Sequence, residues 1–415
     1  MAQIRPFAAL RPRPELVEQI AAPPYDVVDT EQARALAQGN PLSFLHISRS
    51  EIDFPVGADP YAAPVYQKAA ENLRRLVREG ALVREERPAL YLYAQQLGEH
   101  RQQGIVACFA VDDYDSNLIR KHEHTRADKE LDRTRHTDVT SVNSGPVFLT
   151  YRADPALDAL VEQARQGAEL LYDFVAPDGV GHTVHRIVDE ALAARLQERF
   201  AAIAPLYVAD GHHRSASAAR VGRERRAREG NLPGTREHDW FMAVVFPHDQ
   251  LRIMPYNRVV QDLDGRTPGE LLARIGERFL VEQLTVRAYT PPARHTIGMY
   301  LAGRWYGLTP RPGTFPEGHP IEGLDVAILQ KNLLAPLLGI QDPRTDRRIS
   351  FVGGIHGPGK LEELVDGGKG AVAFSLFPVS LDELMAIADA GEVMPPKSTW
   401  FEPKLRSGLL VHELA

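Results

Sequence analysis

The stretch Leu206-Tyr207-Val208-Ala209-Asp210-Gly211-His212-His213-Arg214-Ser215 constrains this chain more than any other. An unbroken apolar run of that length reads as a strand covered on both faces. It leads directly into five polar or glycine residues, and from about Ser215 to Glu229 the pattern becomes helical. A strand delivering its end onto a helix in so few residues requires a mixed α/β architecture. It also places backbone N–H groups that lack intrahelical acceptors, and the positive end of a helix dipole, next to Gly211. Gly211 lets a ligand approach the chain closely, and Arg214 offers a fork of donors matched to phosphate or carboxylate. His212 and His213 can exchange protons near neutral pH. Read as bare capping, the same tract makes Asp210 an N-cap and leaves the two histidines at the surface.

The rest of the chain alternates in the same way. A short helix capped by Thr30 and a longer one over residues 60–79 are followed by two strands, 89–97 and 103–111, joined as a hairpin. Helices over 155–166 and 190–200 flank a second hairpin, 172–188, that turns near Pro177-Asp178-Gly179. Beyond Asn231-Leu232-Pro233-Gly234 come a strand at 241–246, a helix over 268–279, a hairpin over 297–308, a helix over 324–338, and strands at 349–352 and 371–376. The fold class is therefore mixed α and β (α+β), with a sheet that is partly antiparallel. At 415 residues the chain exceeds one ordinary core. The expected division is 1–233, a phosphate-binding domain with insertions, and 234–415, an α/β domain contributing to the cleft.

Composition excludes several classes. A net charge of −7 argues against bulk nucleic acid, DNA included, as partner. The first fifteen residues have no apolar core region, and no stretch reaches the ~20 apolar residues that cross a bilayer, so a cytoplasmic location is expected. The lone cysteine, Cys108, reads as a small buried strand residue, which rules out an internal disulfide and a thiolate-rich metal site.

Two further tracts carry candidate chemistry. In residues 120–136 thirteen of seventeen positions are charged or histidine, a density that fits either a solvated helix or a site. Leu118-Ile119 suggests a strand entering it, which would put His122 and His124 on one face and Glu123 on the other. Flanked by Arg120 and Lys121, Glu123 is an ionised carboxylate suited to general-base work. The tract Met394-Pro395-Pro396-Lys397-Ser398-Thr399-Trp400-Phe401-Glu402-Pro403-Lys404 fixes a cation and two hydroxyls between prolines, a loop suited to clamping phosphate or carboxylate. Asn257 and Arg258 either line the cleft or end a strand.

Taken together these tracts resemble a family of prokaryotic proteins known as domain of unknown function 1015. The likeness also includes Ala22-Pro23-Pro24-Tyr25-Asp26-Val27, Gly145-Pro146-Val147-Phe148-Leu149, Leu324-Asp325-Val326 and Asp342-Pro343-Arg344-Thr345-Asp346. A His-Glu pair followed by a strand that delivers Asp-Gly-His-x-Arg onto a helix is similar, more distantly, to the ParB/sulfiredoxin superfamily. Its free serine kinase branch moves a phosphoryl group from ADP to serine. That resemblance implies a ParB/sulfiredoxin-like core, Glu123 as base, Asp210 to Arg214 as phosphate cradle, and ADP or ATP with Mg²⁺ as co-substrate and cofactor. Sulfiredoxin chemistry needs a cysteine where this chain has His212, so thiol chemistry is not expected. The expected function is phosphoryl transfer between a nucleotide and a small hydroxylated metabolite, serine or phosphoserine first. Asp210 would orient a hydroxyl or Mg²⁺, and His122, Lys397, Ser398, Thr399, Asn257 and Arg258 would bind substrate or phosphate. Three rivals stand beside it: a phosphatase at the same cradle, a transition-metal site formed by His122, His124 and His212 or His213, and a non-enzymatic, nucleotide-switched binding module.

Overall fold

A computed structural model describes residues 2–203 and 205–415. It divides into two compact units. The first comprises residues 2–121, 125–251 and 403–415, and the second comprises 122–124 and 252–402. The division falls at Leu251/Arg252 rather than at the Asn231–Gly234 turn, and the last thirteen residues belong with the first unit.

The first unit is built on a nine-stranded mixed sheet. Its strands are β1 (Ile4–Arg5), β2 (Tyr91–Leu97), β3 (His100–Ala110), β4 (Ile119–Arg120), β5 (Val147–Tyr151), β6 (Glu169–Val175), β7 (Gly181–Arg186), β8 (Leu206–Asp210) and β9 (Trp240–Pro247). They lie in the order β4-β8-β5-β9-β3-β2-β7-β6, with β1 against β3. Parallel pairing occurs at β8 with β4 and at β9 with β5; the other pairs are antiparallel. Both expected hairpins are present, as β2–β3 and β6–β7. Cys108 sits fully buried in β3, where burial pushes its thiol far up, so it is a core residue and not a nucleophile.

β8 lies inside the sheet, and Leu206, Tyr207, Val208 and Ala209 are all buried. That explains the unbroken apolar run: neither face meets water. Fully burying a side chain such as Leu206 or Val208 contributes roughly 1.5–3 kcal/mol. The surrounding helices are α1 (Ala63–Arg78), α2 (Ala127–Thr140), α3 (Pro155–Gly167), α4 (Glu190–Ala201) and α5 (His212–Glu229). Phe109, Phe200, Phe241, Leu149 and Leu196 form the centre of the core.

Three local expectations change. The first short helix starts at Thr30, but its cap is Asp29, whose side chain accepts from Gln32 N in a reciprocal capping box. β4 ends at Arg120, because β8 pairs with it only at Ile119 and Arg120. His122 and His124 are therefore not on one face of a strand. Finally, α5 begins at His212 rather than Ser215, with Gly211 as its cap in the left-handed region at φ 89°.

The second unit has its own antiparallel sheet: β10 (Tyr256–Val260), β11 (Phe279–Leu284), β12 (Ile297–Leu301), β13 (Arg304–Pro310), β14 (Ile349–Gly353) and β15 (Val372–Ser375). The order is β11-β13-β12-β15-β10-β14. Val259, Tyr300, Trp305, Leu361 and Ala373 pack together in it. The helix expected over 324–338 is present, but its middle turn, Gln330–Leu334, is a π-helix. Among the described residues no helix is long and apolar enough to cross a membrane.

Candidate active site

Gly211 sets the geometry. Its φ of 89° turns the chain sharply from β8 into α5, and an added Cβ would lie 3.1 Å from Arg214 Nε. Any other residue would be strained in the backbone and would push the guanidinium aside. His212, His213 and Arg214 thus form the first helical turn, where backbone N–H groups face away from the helix interior. Ser215 closes that turn, its N–H donating to Gly211 O at 2.9 Å. The face of α5 that meets the protein is made of small residues, Ser215, Ala216, Ser217, Ala218, Ala219 and Gly222, so the helix can approach closely. A Cβ on Gly222 would come within 2.5 Å of His238 O.

Asp210 anchors the turn. Its Oδ1 accepts the Gly211 N–H at 2.7 Å and its Oδ2 accepts Lys404 Nζ at 2.9 Å. Burial would raise this carboxyl, but the cations Lys404 and Arg214 outweigh burial and hold it below the usual carboxylate range. It is an anion at every physiological pH. Lys404 is placed by the C-terminal segment: buried Gln95 donates to Lys404 O at 2.9 Å, and Ser407 pairs with Ala22 through both backbone bonds. That pairing also fixes Pro23-Pro24-Tyr25-Asp26 beside α5.

Arg214 is the centre of the cluster. Its Nη1 donates to Pro146 O, and its Nη2 lies 3.6 Å from Asp26 Oδ2. Burial lowers the guanidinium pKa, but Asp26 and Asp210 overcome that and the net direction is upward, so the charge is permanent. Arg214 Nε is buried and has no hydrogen-bond partner among the described residues. The side chain lines a cavity of about 30 Å³ together with Tyr25, Arg133, Ser144, Ser217 and Ser407. Two guanidiniums and three serines make this a donor-rich lining, with room for a small polar group. Arg133 lies over the Tyr25 ring at 4.2 Å. Gly145 sits close beside it: a Cβ there would approach Ser407 Oγ to 2.9 Å, and that hydroxyl would have to move.

The charged tract 120–136 forms the start of α2 and divides its side chains between packing and the cavity. Part is structural: Tyr66 donates to the buried Asp132 at 2.8 Å, and Thr125 donates to Glu130 at 2.7 Å. Part reaches the cavity, through Arg133 and His136. His136 is buried, its Nε2 lies 2.9 Å from Ile47 O, and burial with Arg133 nearby lowers its pKa to about 4, so it is neutral at pH 7.

The remaining expected residues fall as follows. His212 is buried in the first turn of α5. His213 Nε2 accepts the Arg126 N–H at 3.1 Å, which ties the start of α2 to α5 and fixes its proton on Nδ1. His122 and Glu123 belong to the second unit, where His122 O accepts from Met394 N at 2.8 Å. Asn257, Arg258, Lys397, Ser398 and Thr399 are in that unit as well. Asn257 Oδ1 accepts the Leu376 N–H at 3.1 Å, joining β10 to the end of β15. Lys397 lies over the Tyr256 ring at 5.4 Å, and Ser398 donates to Pro395 O at 2.5 Å. Lys404, Tyr25, Arg133, Ser144 and Ser407 were not singled out from sequence. Lys404 closes the proline-rich tract and Tyr25 follows Pro23-Pro24, but nothing local distinguishes these five from ordinary surface residues.

A family model described as "Protein of unknown function (DUF1015)" matches residues 4–327. No curated protein matches the sequence. Similar solved structures include a free serine kinase in complex with AMP, at 12% identity and a TM-score of 0.37, covering 74% of this chain and 91% of that one. A conserved hypothetical protein from Pyrococcus furiosus has 12% identity and a TM-score of 0.37, with coverages of 74% and 94%. SbnI from Staphylococcus aureus, truncated at its C-terminus, has 13% identity and a TM-score of 0.37, with coverages of 74% and 86%.

Proposed function

We propose that this chain, which belongs to the DUF1015 family, is a phosphotransferase moving a phosphoryl group between a nucleotide and a small hydroxylated metabolite, with serine or phosphoserine the first candidate. One observation carries the reading: Arg214 Nε is buried without a hydrogen-bond partner among the described residues, at a helix start whose dipole favours negative charge, and the same residue lines a polar cavity. Phosphoryl transfer asks mainly for positioning and neutralisation of the three equatorial oxygens, which a guanidinium fork and oriented N–H groups supply.

In this reading Gly211, His212, His213 and Arg214 hold the phosphoryl group. Asp210 favours the charged form of Arg214, while Pro146 O and Asp26 orient it. Because both Asp210 oxygens are engaged, with Gly211 N and Lys404 Nζ, direct binding of Mg²⁺ by Asp210 would require Lys404 to swing away. Lys404 is then a candidate to neutralise a phosphate oxygen in the metal's place. ADP or ATP is the nucleotide, and Mg²⁺ would arrive with its phosphates. Glu123, in the second unit, is the base that the sequence resemblance implies. Its part is tested on its own by Glu123→Gln, which should remove turnover and leave nucleotide binding intact.

The deciding experiment incubates the protein with Mg²⁺, serine and ADP or ATP, and with phosphoserine and ADP or AMP, following phosphoserine by mass spectrometry. Formation of phosphoserine, or its consumption only when the nucleotide is present, supports the proposal. Phosphate release from phosphoserine without nucleotide would replace it with a phosphatase. Nucleotide binding without turnover across hydroxy amino acids would leave a binding module.

A further inference from the structure

The second unit contains a small cleft of its own, lined by Tyr256, Arg294, Asp325, Phe377, Glu383 and Ser398 among others. It offers about 10 Å³, room for one water-sized sphere and nothing larger. Asp325 is 7% exposed, and its Oδ1 accepts the His295 N–H at 2.8 Å. Its Oδ2 is buried and has no hydrogen-bond partner among the described residues. Glu383 is the second carboxylate of the lining. Its Oε2 accepts from Ser380 N and Oγ in a helix cap, at 2.9 and 3.1 Å. Its Oε1 is buried as well and lies 2.9 Å from Arg294 Nη2, an ion pair that is not aligned as a hydrogen bond. Ser398 gives its proton to Pro395 O, so its oxygen can only accept. Two carboxylates against one guanidinium leave the lining with one negative charge, and a buried carboxylate oxygen without a donor is costly.

We infer that this cleft is a structural site for one dehydrated monovalent cation of the sodium or potassium class, held by Asp325 Oδ2, Glu383 Oε1 and the Ser398 oxygen. Charge, size and donor type select that occupant together. A monovalent ion cancels the residual charge, whereas water leaves it in place and a divalent ion overshoots it. Potassium has nearly the radius of a water molecule, and sodium is smaller. Magnesium keeps several of its own waters, for which the cleft has no space. The candidate ligands are oxygens without nitrogen or sulfur, the set that hard cations prefer. An anion would be repelled. The inference does not rest on phosphoryl transfer in the first unit.

The test is urea unfolding of the full chain near neutral pH at constant chloride, with tetramethylammonium, which is too large for the cleft, replaced stepwise by sodium or potassium. An ion that binds only the folded state stabilises it by mass action, so an affinity on the order of 10 mM lowers the unfolding constant about tenfold at ~0.1 M ion. A saturable response of that kind to sodium or potassium is expected. Asp325→Asn keeps the acceptor for His295 but loses the charge, and it should show no response. Glu383→Gln keeps an acceptor for Ser380 and should lose most of the response; should either variant fail to fold, the other decides. The assignment is overturned if sodium and potassium do no more than tetramethylammonium, which would leave the cleft to a water or a proton. It is overturned equally if the folded variants respond as the parent does, which is general ion screening. A magnesium response that saturates at lower concentration than either alkali ion and disappears in Asp325→Asn would make the site divalent, and would also overturn it.

Discussion

Asp210 and Asp325 are both carboxylates withdrawn from water, and the two units treat them in opposite ways. In the first unit Asp210 is given a lysine, an arginine and a backbone N–H, which hold its pKa below the usual carboxylate range and keep it ionised. In the second unit Asp325 receives one backbone N–H, and burial raises its pKa to about 6. One carboxylate has a finished set of partners and acts as an anchor. The other keeps an open valence. The difference separates a group whose partners are complete from one that keeps an oxygen without a hydrogen-bond partner among the described residues, although both have the same chemistry.

The largest effect expected from breaking this contrast is at Arg214. Replacing it with lysine keeps the charge but removes the planar fork and the Nε donor. Turnover in the phosphoserine assay should fall about 10²–10³-fold, the usual cost of one such donor, measured on protein shown folded by its unfolding transition, since the bonds to Pro146 O and Asp26 are lost as well. A turnover within threefold of the parent would separate Arg214 from the chemistry.

Lys404→Met comes next, because it leaves Asp210 charged without its nearest cation. Loss of one partner of a fully buried pair costs about 3–5 kcal/mol; with Asp210 about a quarter exposed, roughly 2–3 kcal/mol is expected. The pH dependence follows from the sign of the shift. Asp210 is depressed in the folded state, so its contribution is complete above its unfolded value of about 4 and is lost as pH falls below it. Urea unfolding of parent and variant should therefore differ most at neutral pH and converge in acid. A gap that widens in acid would contradict the pairing.

Asp325→Asn should act with the opposite sign and a smaller effect. A carboxyl raised to about 6 destabilises the fold increasingly as pH rises from about 4 to 6, and the penalty is complete above that. In buffer free of sodium and potassium the variant should gain up to about 2 kcal/mol at pH 7.5 and nothing at pH 4, since a two-unit shift corresponds to ~2.7 kcal/mol at most. A variant less stable than the parent at pH 7.5 would mean that Asp325 already has the partner it lacks here.

Much of the fold was legible because its signals are local. The β2–β3 and β6–β7 hairpins follow from two-residue alternation broken by glycine, and α3 and α4 follow from apolar residues three and four apart. β8 was legible because a strand covered on both faces cannot carry polar residues. Errors arose where the pattern was silent. His212 and His213 carry no apolar period, so the sequence pattern starts α5 only at Ser215; the left-handed turn at Gly211 moves the start to His212. The strand expected to reach His122 stops at Arg120 because a strand extends only as far as its neighbour pairs with it. Of the candidate residues, the Asp210 to Arg214 tract was visible as chemistry placed on a strand end. Asn257 and Ser398 had the right types for binding, yet both spend hydrogen bonds on the second unit's own framework.

By itself the sequence determined the mixed α/β class, the strand that ends at Asp210, the buried cysteine and the tract able to meet an anion. These depend on contacts within a few residues, where periodicity and turn chemistry act. The tertiary structure alone decided that Lys404, 194 residues away, neutralises Asp210 and that Ser407 brings Tyr25 to Arg214. It also decided that Asp325 is left without a cation. Pairings of that range are chosen by which surfaces the packed core brings together, and a single chain of letters carries no local signal for them.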